Sequence, residues 1–140
     1  MRLVIVASVV WSWCFPDEND AVAQLVAHRF KQGDAALASS FWPHEVLNAL
    51  LAGEKRKRIS GEMIQTFLDD LASLPVTLEP CPAGIVFDRV QALSRRHELT
   101  LTPYDAAYLD LAIESGLALA TLDEALVRSC ESAGVRLVRP

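Results

Sequence analysis

Apolar residues along the chain fall into short blocks whose period alternates between that of a strand and that of a helix. The opening block, Arg2-Leu-Val-Ile-Val-Ala7, is continuous and β-branched, as expected of a strand covered on both faces. Phe15-Pro16-Asp17 interrupts the apolar run, a helix is predicted from Ala21 to Phe30, and Gly33 with Asp34 breaks it ahead of a second strand, Ala35 to Ser39. Pro43 suits a first helical position, and His44 to Ala52 continues as an almost wholly apolar helix that Gly53 ends. Ser60 can cap the next helix, which carries Met63, Ile64, Phe67, Leu68 and Leu71 at 3.6 spacing; Leu74-Pro75 ends it before the strand Val76-Thr77-Leu78. A further helix is predicted over Ala83 to Glu98. Thr102-Pro103-Tyr104-Asp105 opens a helix running from Ala106 to Ser115, and Gly116 stops it before the strand Leu117 to Thr121. Asp123 to Ser132 then reads as a helix, Gly134 as a breaker, and Val135 to Val138 as a last strand.

Strands alternating with helices predict an α/β fold: a mostly parallel sheet of four or five strands flanked by helices. No repeat, linker or low-complexity tract divides residues 1–140, so a single domain is expected. With 51% hydrophobic and 22% charged residues, the composition supplies one compact core and excludes a disordered chain. No run approaches the roughly 20 apolar residues that span a bilayer. The stretch Leu3 to Phe15 resembles the apolar part of an export signal, but Ser8 and Ser12 interrupt it, Arg2 is its only cation, and Asp17-Glu18-Asn19-Asp20 stands where a small neutral cleavage site belongs. A buried strand accounts for the same residues. Cys14, Cys81 and Cys130 are odd in number and far apart, so free thiols in a reducing cytoplasm are expected. Lys+Arg 13 against Asp+Glu 18 leaves a net charge of −5, which argues against a generally basic nucleic-acid-coating protein.

Ligands of parallel α/β sheets bind outside the carboxyl ends of the strands, which gives weight to Glu45, Asp105 and Asp123, all at predicted helix starts or strand ends. Glu45 and Asn48, at i and i+3, share one face of an apolar helix, where a polar pair needs either hydrogen-bond partners or a metal. Asp105 lies three residues after Thr102 and also fits a capping box; Asp123 follows a strand directly and also suits a helix start. Several acids at one sheet edge repel one another unless protonated or bridged by a hard cation such as Mg²⁺ or Mn²⁺. His44-Glu45-Val46-Leu47-Asn48 misses the zinc-protease pattern because Asn48 stands where the second histidine is required. His28 and His97 lack a partner at ligand spacing, and no P-loop, glycine-rich dinucleotide turn or nucleophile elbow is present. Cationic residues concentrate in Lys55, Arg56, Lys57 and Arg58, with a smaller pair at Arg95 and Arg96; each group also reads as a solvated loop or helix end.

Five patches in register carry a family resemblance: Leu3 to Ser8 with Trp13 to Glu18, Pro43 to Leu50, Leu101 to Leu109, Leu119 to Leu126, and Ala133 to Val135. Together they make the chain resemble a PIN domain of the small VapC ribonuclease type found in bacterial toxin–antitoxin pairs. The resemblance implies a three-layer PIN-like fold and a Mg²⁺- or Mn²⁺-dependent endoribonuclease acting on single-stranded RNA. It implies Glu45, Asp105 and Asp123 as metal-binding and catalytic acids, with Ser8, Asn48 and Thr121 as supporting groups. It further implies a cognate antitoxin and a homodimer, for which Trp11, Trp13 and Trp42 could supply apolar surface; an RNA substrate needs a cationic approach, for which Lys55 to Arg58, with Arg95 and Arg96, are the local concentrations. The family's first carboxylate falls on position 6, which is Val6 here. An isopropyl group cannot ligate a hydrated cation. Two expectations result: an attenuated ribonuclease, or a degenerate PIN domain that binds protein or RNA, or dimerises, without cleaving.

Overall fold

In the computed structural model, which describes residues 1–140 with the side chain of Pro16 excepted, the chain opens with β1 (Arg2–Ile5) and α1 (Ala7–Cys14). A 3₁₀ turn (Pro16–Glu18), α2 (Ala21–Lys31), β2 (Ala35–Ser39), α3 (Trp42–Lys55), α4 (Gly61–Ala72) and β3 (Val76–Glu79) follow. Then come α5 (Ala83–Ile85), a π-helical segment (Val86–Val90), α6 (Gln91–Arg96), α7 (Pro103–Ser115), β4 (Leu119–Ala120) and α8 (Glu124–Ala133). All strand pairings are parallel, and the sheet order is β3-β2-β1-β4. The fold is thus the expected α/β sandwich of helices on a parallel sheet. The predicted fifth strand, Val135 to Val138, reduces to a single parallel bridge, Leu119 with Leu137, held by Leu119 N–H to the Arg136 carbonyl and Val138 N–H to the Leu119 carbonyl, both 2.9 Å.

The order places the topological switch between β1 and β4, because β2 and β3 lie on one side of β1 and β4 on the other. Leu3, Val4 and Ile5 are fully buried in the centre of the sheet. α7 packs against β1, β2 and β4, burying Ala106, Tyr108 and Leu109 completely. Its ends obey the capping chemistry read from sequence: the Thr102 hydroxyl accepts from Asp105 N–H at 3.2 Å, and Gly116 closes the helix at φ 68°, a left-handed conformation that favours glycine. Asp20 and Ser60 cap α2 and α4 in the same way.

Three predictions need correction. β1 ends at Ile5, and Ala7–Cys14, a stretch whose pattern predicts no helix, forms α1, because Val9, Val10 and Ser12 bury against the core and packing outweighs the weak helix propensity of valine and tryptophan. The segment Ala83 to Glu98 is not one regular helix; its middle turn widens to a π-helix. Finally, α3 is not apolar-buried all round: Trp42, Val46, Leu50 and Gly53 form its buried stripe, while Leu47 and Leu51 stay 40% and 49% exposed.

Candidate functional site at the carboxyl edge of the sheet

Four strand ends and the helices that follow them converge on one edge. β1 leads through Val6 into α1, and Val6 occupies the N-cap position of that helix with extended backbone (φ −93°, ψ 152°) and no side-chain cap bond. Its N–H donates to the Ala120 carbonyl at 3.1 Å, tying the end of β1 to the end of β4, and its side chain is 5% exposed. Across the switch, the Ser8 hydroxyl accepts from Leu122 N–H at 3.0 Å and lies 3.5 Å from the Thr121 hydroxyl. Buried Thr121 in turn accepts from Asp123 N–H at 3.1 Å, and Asp123 Oδ1 accepts from Leu126 N–H at 3.0 Å as the N-cap of α8. Ser8 and Thr121 therefore brace the turn that presents Asp123. A crevice of about 280 Å³ opens here, lined by Ser8, Trp11, Ser12, Glu18, Leu122 and Asp123.

Glu45 stands in the first turn of α3 and Asp105 in the first turn of α7. Glu45 Oε1 accepts from the hydroxyl of Tyr108 at 2.7 Å, a bond between helices made by a tyrosine that is otherwise fully buried. A buried phenol seeks a partner for its O–H, and Tyr108 lies one turn beyond Asp105, so the pairing orients Glu45 toward the same edge. Burial pushes the Glu45 carboxyl above its usual range; the Tyr108 hydrogen bond pulls it down and the charge of Asp105 lifts it further. Burial likewise raises Asp105, with the charge of Asp123 adding to it and a hydrogen bond to Thr102 opposing. The charge of Asp105 thus acts on Glu45, and that of Asp123 on Asp105. Burial and the Glu45 carboxylate together hold the Tyr108 hydroxyl firmly protonated.

Such carboxylates suit a hard divalent cation in donor chemistry, since each gains by neutralisation of its neighbour. Among the described residues, however, no three His, Cys, Asp or Glu side chains converge closely enough to hold a metal as placed, and Val6 fills the central strand-end position with an isopropyl group.

Other predicted residues separate from this edge. Asn48 is exposed and makes no side-chain hydrogen bond among the described residues, because it lies off the buried stripe of α3; a site role through a shared buried face with Glu45 is not what the helix provides. Arg58 is not free for an incoming anion: its guanidinium meets Asp17 at 3.0 Å and Glu18 at 3.2 Å and lies 4.3 Å from the centre of the Phe15 ring. Lys55, Arg56 and Lys57 remain exposed. Trp42 belongs to the core, whereas Trp11 and Trp13 are half-buried. Sequence reasoning missed Tyr108 as the partner of Glu45, and also the pair Arg89–Asp110, in which Nε and Nη2 reach the two carboxylate oxygens of a buried aspartate at 3.1 Å each. Asp110 falls among the buried positions of α7, and an acid there is the signal that a partner must exist.

No family model matches the chain. Among curated proteins, Ribonuclease VapC3 of Mycobacterium tuberculosis, in strains CDC 1551 / Oshkosh and ATCC 25618 / H37Rv, is 35% identical over 96 residues, covering 69% of this chain and 66% of the relative. The chain belongs to the VapC-like PIN family. Its PIN-like fold extends to solved structures: the crystal structure of PAE2754 from Pyrobaculum aerophilum matches with a TM-score of 0.68 at 23% identity, over 92% of this chain and 84% of that one. The edge along which Glu45, Asp105 and Asp123 lie is thus the carboxyl edge of a PIN-like sheet, and among the described residues no helix is long and apolar enough to cross a membrane.

Proposed function

We propose that this PIN domain is an endoribonuclease of the VapC toxin type, dependent on Mg²⁺ or Mn²⁺, acting on single-stranded RNA and attenuated by Val6. The observation that carries the reading is the electrostatic chain Glu45–Asp105–Asp123 at the switch between β1 and β4. As placed the three acids do not converge on one point, so a divalent cation would be held at this edge only once their side chains draw together around it. A bound cation there supplies acidified water and positive charge against the phosphoryl oxygens of the scissile phosphodiester. Tyr108 keeps Glu45 turned toward the edge, and Ser8 with Thr121 holds the Asp123 turn in place. Lys55, Arg56 and Lys57 offer the phosphate backbone an exposed cationic approach, with Arg58 retained as a structural tie.

A cognate antitoxin, a homodimer and a cytoplasmic location belong to the same proposal. Supporting a protein partner, an apolar cleft of about 640 Å³ lies between α2 and α4, lined by Trp13, Phe30, Phe67, Leu71 and Leu74. Val6 favours a second reading, a degenerate PIN domain that binds protein or RNA without cleaving. The two separate when the protein and a Val6→Asp variant are incubated with single-stranded RNA and Mg²⁺ or Mn²⁺, with EDTA as control. Metal-dependent cleavage by the unmodified protein supports the ribonuclease, cleavage by the variant alone supports the degenerate module, and cleavage by neither refutes the nuclease assignment.

A further inference from the structure

A second recess lies at the same sheet edge, where the turns leaving β2 and β3 meet the first turn of α7. Its volume is about 250 Å³, and Ser40, Phe41, Cys81, Val86, Tyr104 and Ala107 line it. That is below the roughly 300–1,000 Å³ of clefts that enclose whole small-molecule ligands, and fits one planar ring system. None of these residues is charged, and the lining is mostly apolar, so the recess suits a base rather than the phosphate backbone.

Tyr104 dominates it. Although Tyr104 follows Pro103 in the first turn of a capped helix, it is 57% exposed. Its ring packs edge-on against Phe41, with centroids 5.1 Å apart and planes at 80°; Phe41 packs edge-on against Tyr108, at 5.3 Å and 76°. Tyr108 holds Glu45, and the residue after Tyr104 is Asp105. A rigid aromatic ladder therefore joins the recess to two of the three acids. An exposed aromatic ring fixed on a helix beside a phosphodiester site is the arrangement on which unpaired bases stack.

We propose that this recess is a nucleobase subsite in which one base of single-stranded RNA stacks on Tyr104, setting the register of the strand across the acidic edge. The proposal rests on the ribonuclease reading of the acidic edge. A single base seated here fixes the backbone on either side of it, so Tyr104 governs binding and positioning rather than chemistry.

The test is anisotropy titration of a short labelled single-stranded RNA, with Ca²⁺ in place of Mg²⁺, against the unmodified protein, Tyr104→Ala and Tyr104→Phe; an oligomer made abasic throughout serves as second probe. Loss of a stacking ring is expected to weaken binding about 5- to 150-fold in Tyr104→Ala. Tyr104→Phe is expected to bind like the unmodified protein, and the abasic strand to bind the protein and Tyr104→Ala equally. Being exposed, Tyr104 can be replaced without unfolding the chain, which thermal melting checks. RNA binding that is unchanged in Tyr104→Ala overturns the subsite alone and leaves the recess to an apolar side chain of a protein partner. A Tyr104→Phe variant as weak as Tyr104→Ala also overturns stacking, in favour of the hydroxyl. No RNA binding by the unmodified protein overturns the subsite together with the ribonuclease reading.

Discussion

Replacing Val6 with aspartate isolates the charge logic of the edge, because every term acts on one position. Val6 is 5% exposed, so removing it gives up most of the roughly 1.5–3 kcal/mol that a buried valine contributes. Its extended N-cap backbone lacks a side-chain cap, and an aspartate there gains about 1 kcal/mol by accepting from the first turn of α1. Against this stands a new negative charge at the edge that already presents Asp105 and Asp123, a repulsion of about 1–3 kcal/mol at the effective dielectric of partly buried sites. In EDTA the variant is therefore expected to lose about 1.5–5 kcal/mol, or about 5–15 °C in melting temperature for a chain of this size. A cation present at 100 times its dissociation constant restores about 2.7 kcal/mol. Melting by differential scanning fluorimetry should thus show a large Mg²⁺-dependent rise for Val6→Asp, a small one for the unmodified protein, and none beyond that for Val6→Asn, which can cap but adds no charge. Equal Mg²⁺ shifts in all three proteins would refute the placement of position 6 at a cation-binding edge.

The pH dependence has a definite sign. Glu45 and Asp105 are raised in the folded protein above their ordinary 4.5 and 3.8, so their protonated forms stabilise the fold below those values, and that contribution is lost as pH rises through the folded values. Melting temperature in EDTA should fall on this account above about pH 4–5, and Mg²⁺ should flatten the fall; a slope indifferent to Mg²⁺ contradicts the coupling. Tyr108→Phe removes the hydrogen bond that lowers Glu45, so it should extend the same fall to higher pH and cost about 1 kcal/mol, discounted for the half-exposed carboxylate. At Gly53, a Cβ would stand 2.7 and 2.8 Å from Cζ and Cε1 of Phe15, a buried ring that also carries Arg58. Overpacking there should outweigh the helix gain of Gly→Ala, and Gly53→Ala is expected to lower the urea midpoint by the equivalent of about 1–2 kcal/mol; an unchanged midpoint would show that the ring moves aside freely.

The succession of strands and helices was legible from the alternation of periods; the order of strands in the sheet was not. Breakers and caps such as Gly33, Ser60, Thr102, Gly116 and Gly134 act within a few residues, and the elements they bound stand close to the predicted limits. α1 was not legible. Val9, Val10, Trp11 and Trp13 form a β-like string, and their helical conformation is set by packing against α3 and α2 and by the parallel sheet, which requires the chain to turn away after Ile5. The closing strand failed for the converse reason: Val135-Arg136-Leu137-Val138 has strand composition, but β4 is two residues long and offers it one bridge.

At the site, Glu45 and Asp123 were readable from position, since each follows a parallel strand into a helix start at the carboxyl edge, whereas Asp105 starts α7, which follows α6, and reaches that edge because α7 runs back to β4. What composition hid was which neighbours they have. Glu45 and Asn48 share a helix face at i and i+3, yet the buried stripe of α3 passes through Trp42, Val46 and Leu50, one position away, which leaves Glu45 at the boundary and Asn48 in solvent. The partner of Glu45 came instead from 63 residues further along, through Tyr108, a contact that no local spacing encodes. The net charge of −5 changes meaning in the same light. Part of that excess lies at Glu45, Asp105 and Asp123, where like charges oppose one another, and Arg58, the basic residue that ends the cationic run, is spent on Asp17 and Glu18. On the proposed reading, RNA meets this acidic chain through a bound cation and the aromatic recess, with Lys55, Arg56 and Lys57 as a small basic approach, so its affinity should depend on divalent cation more steeply than on monovalent salt.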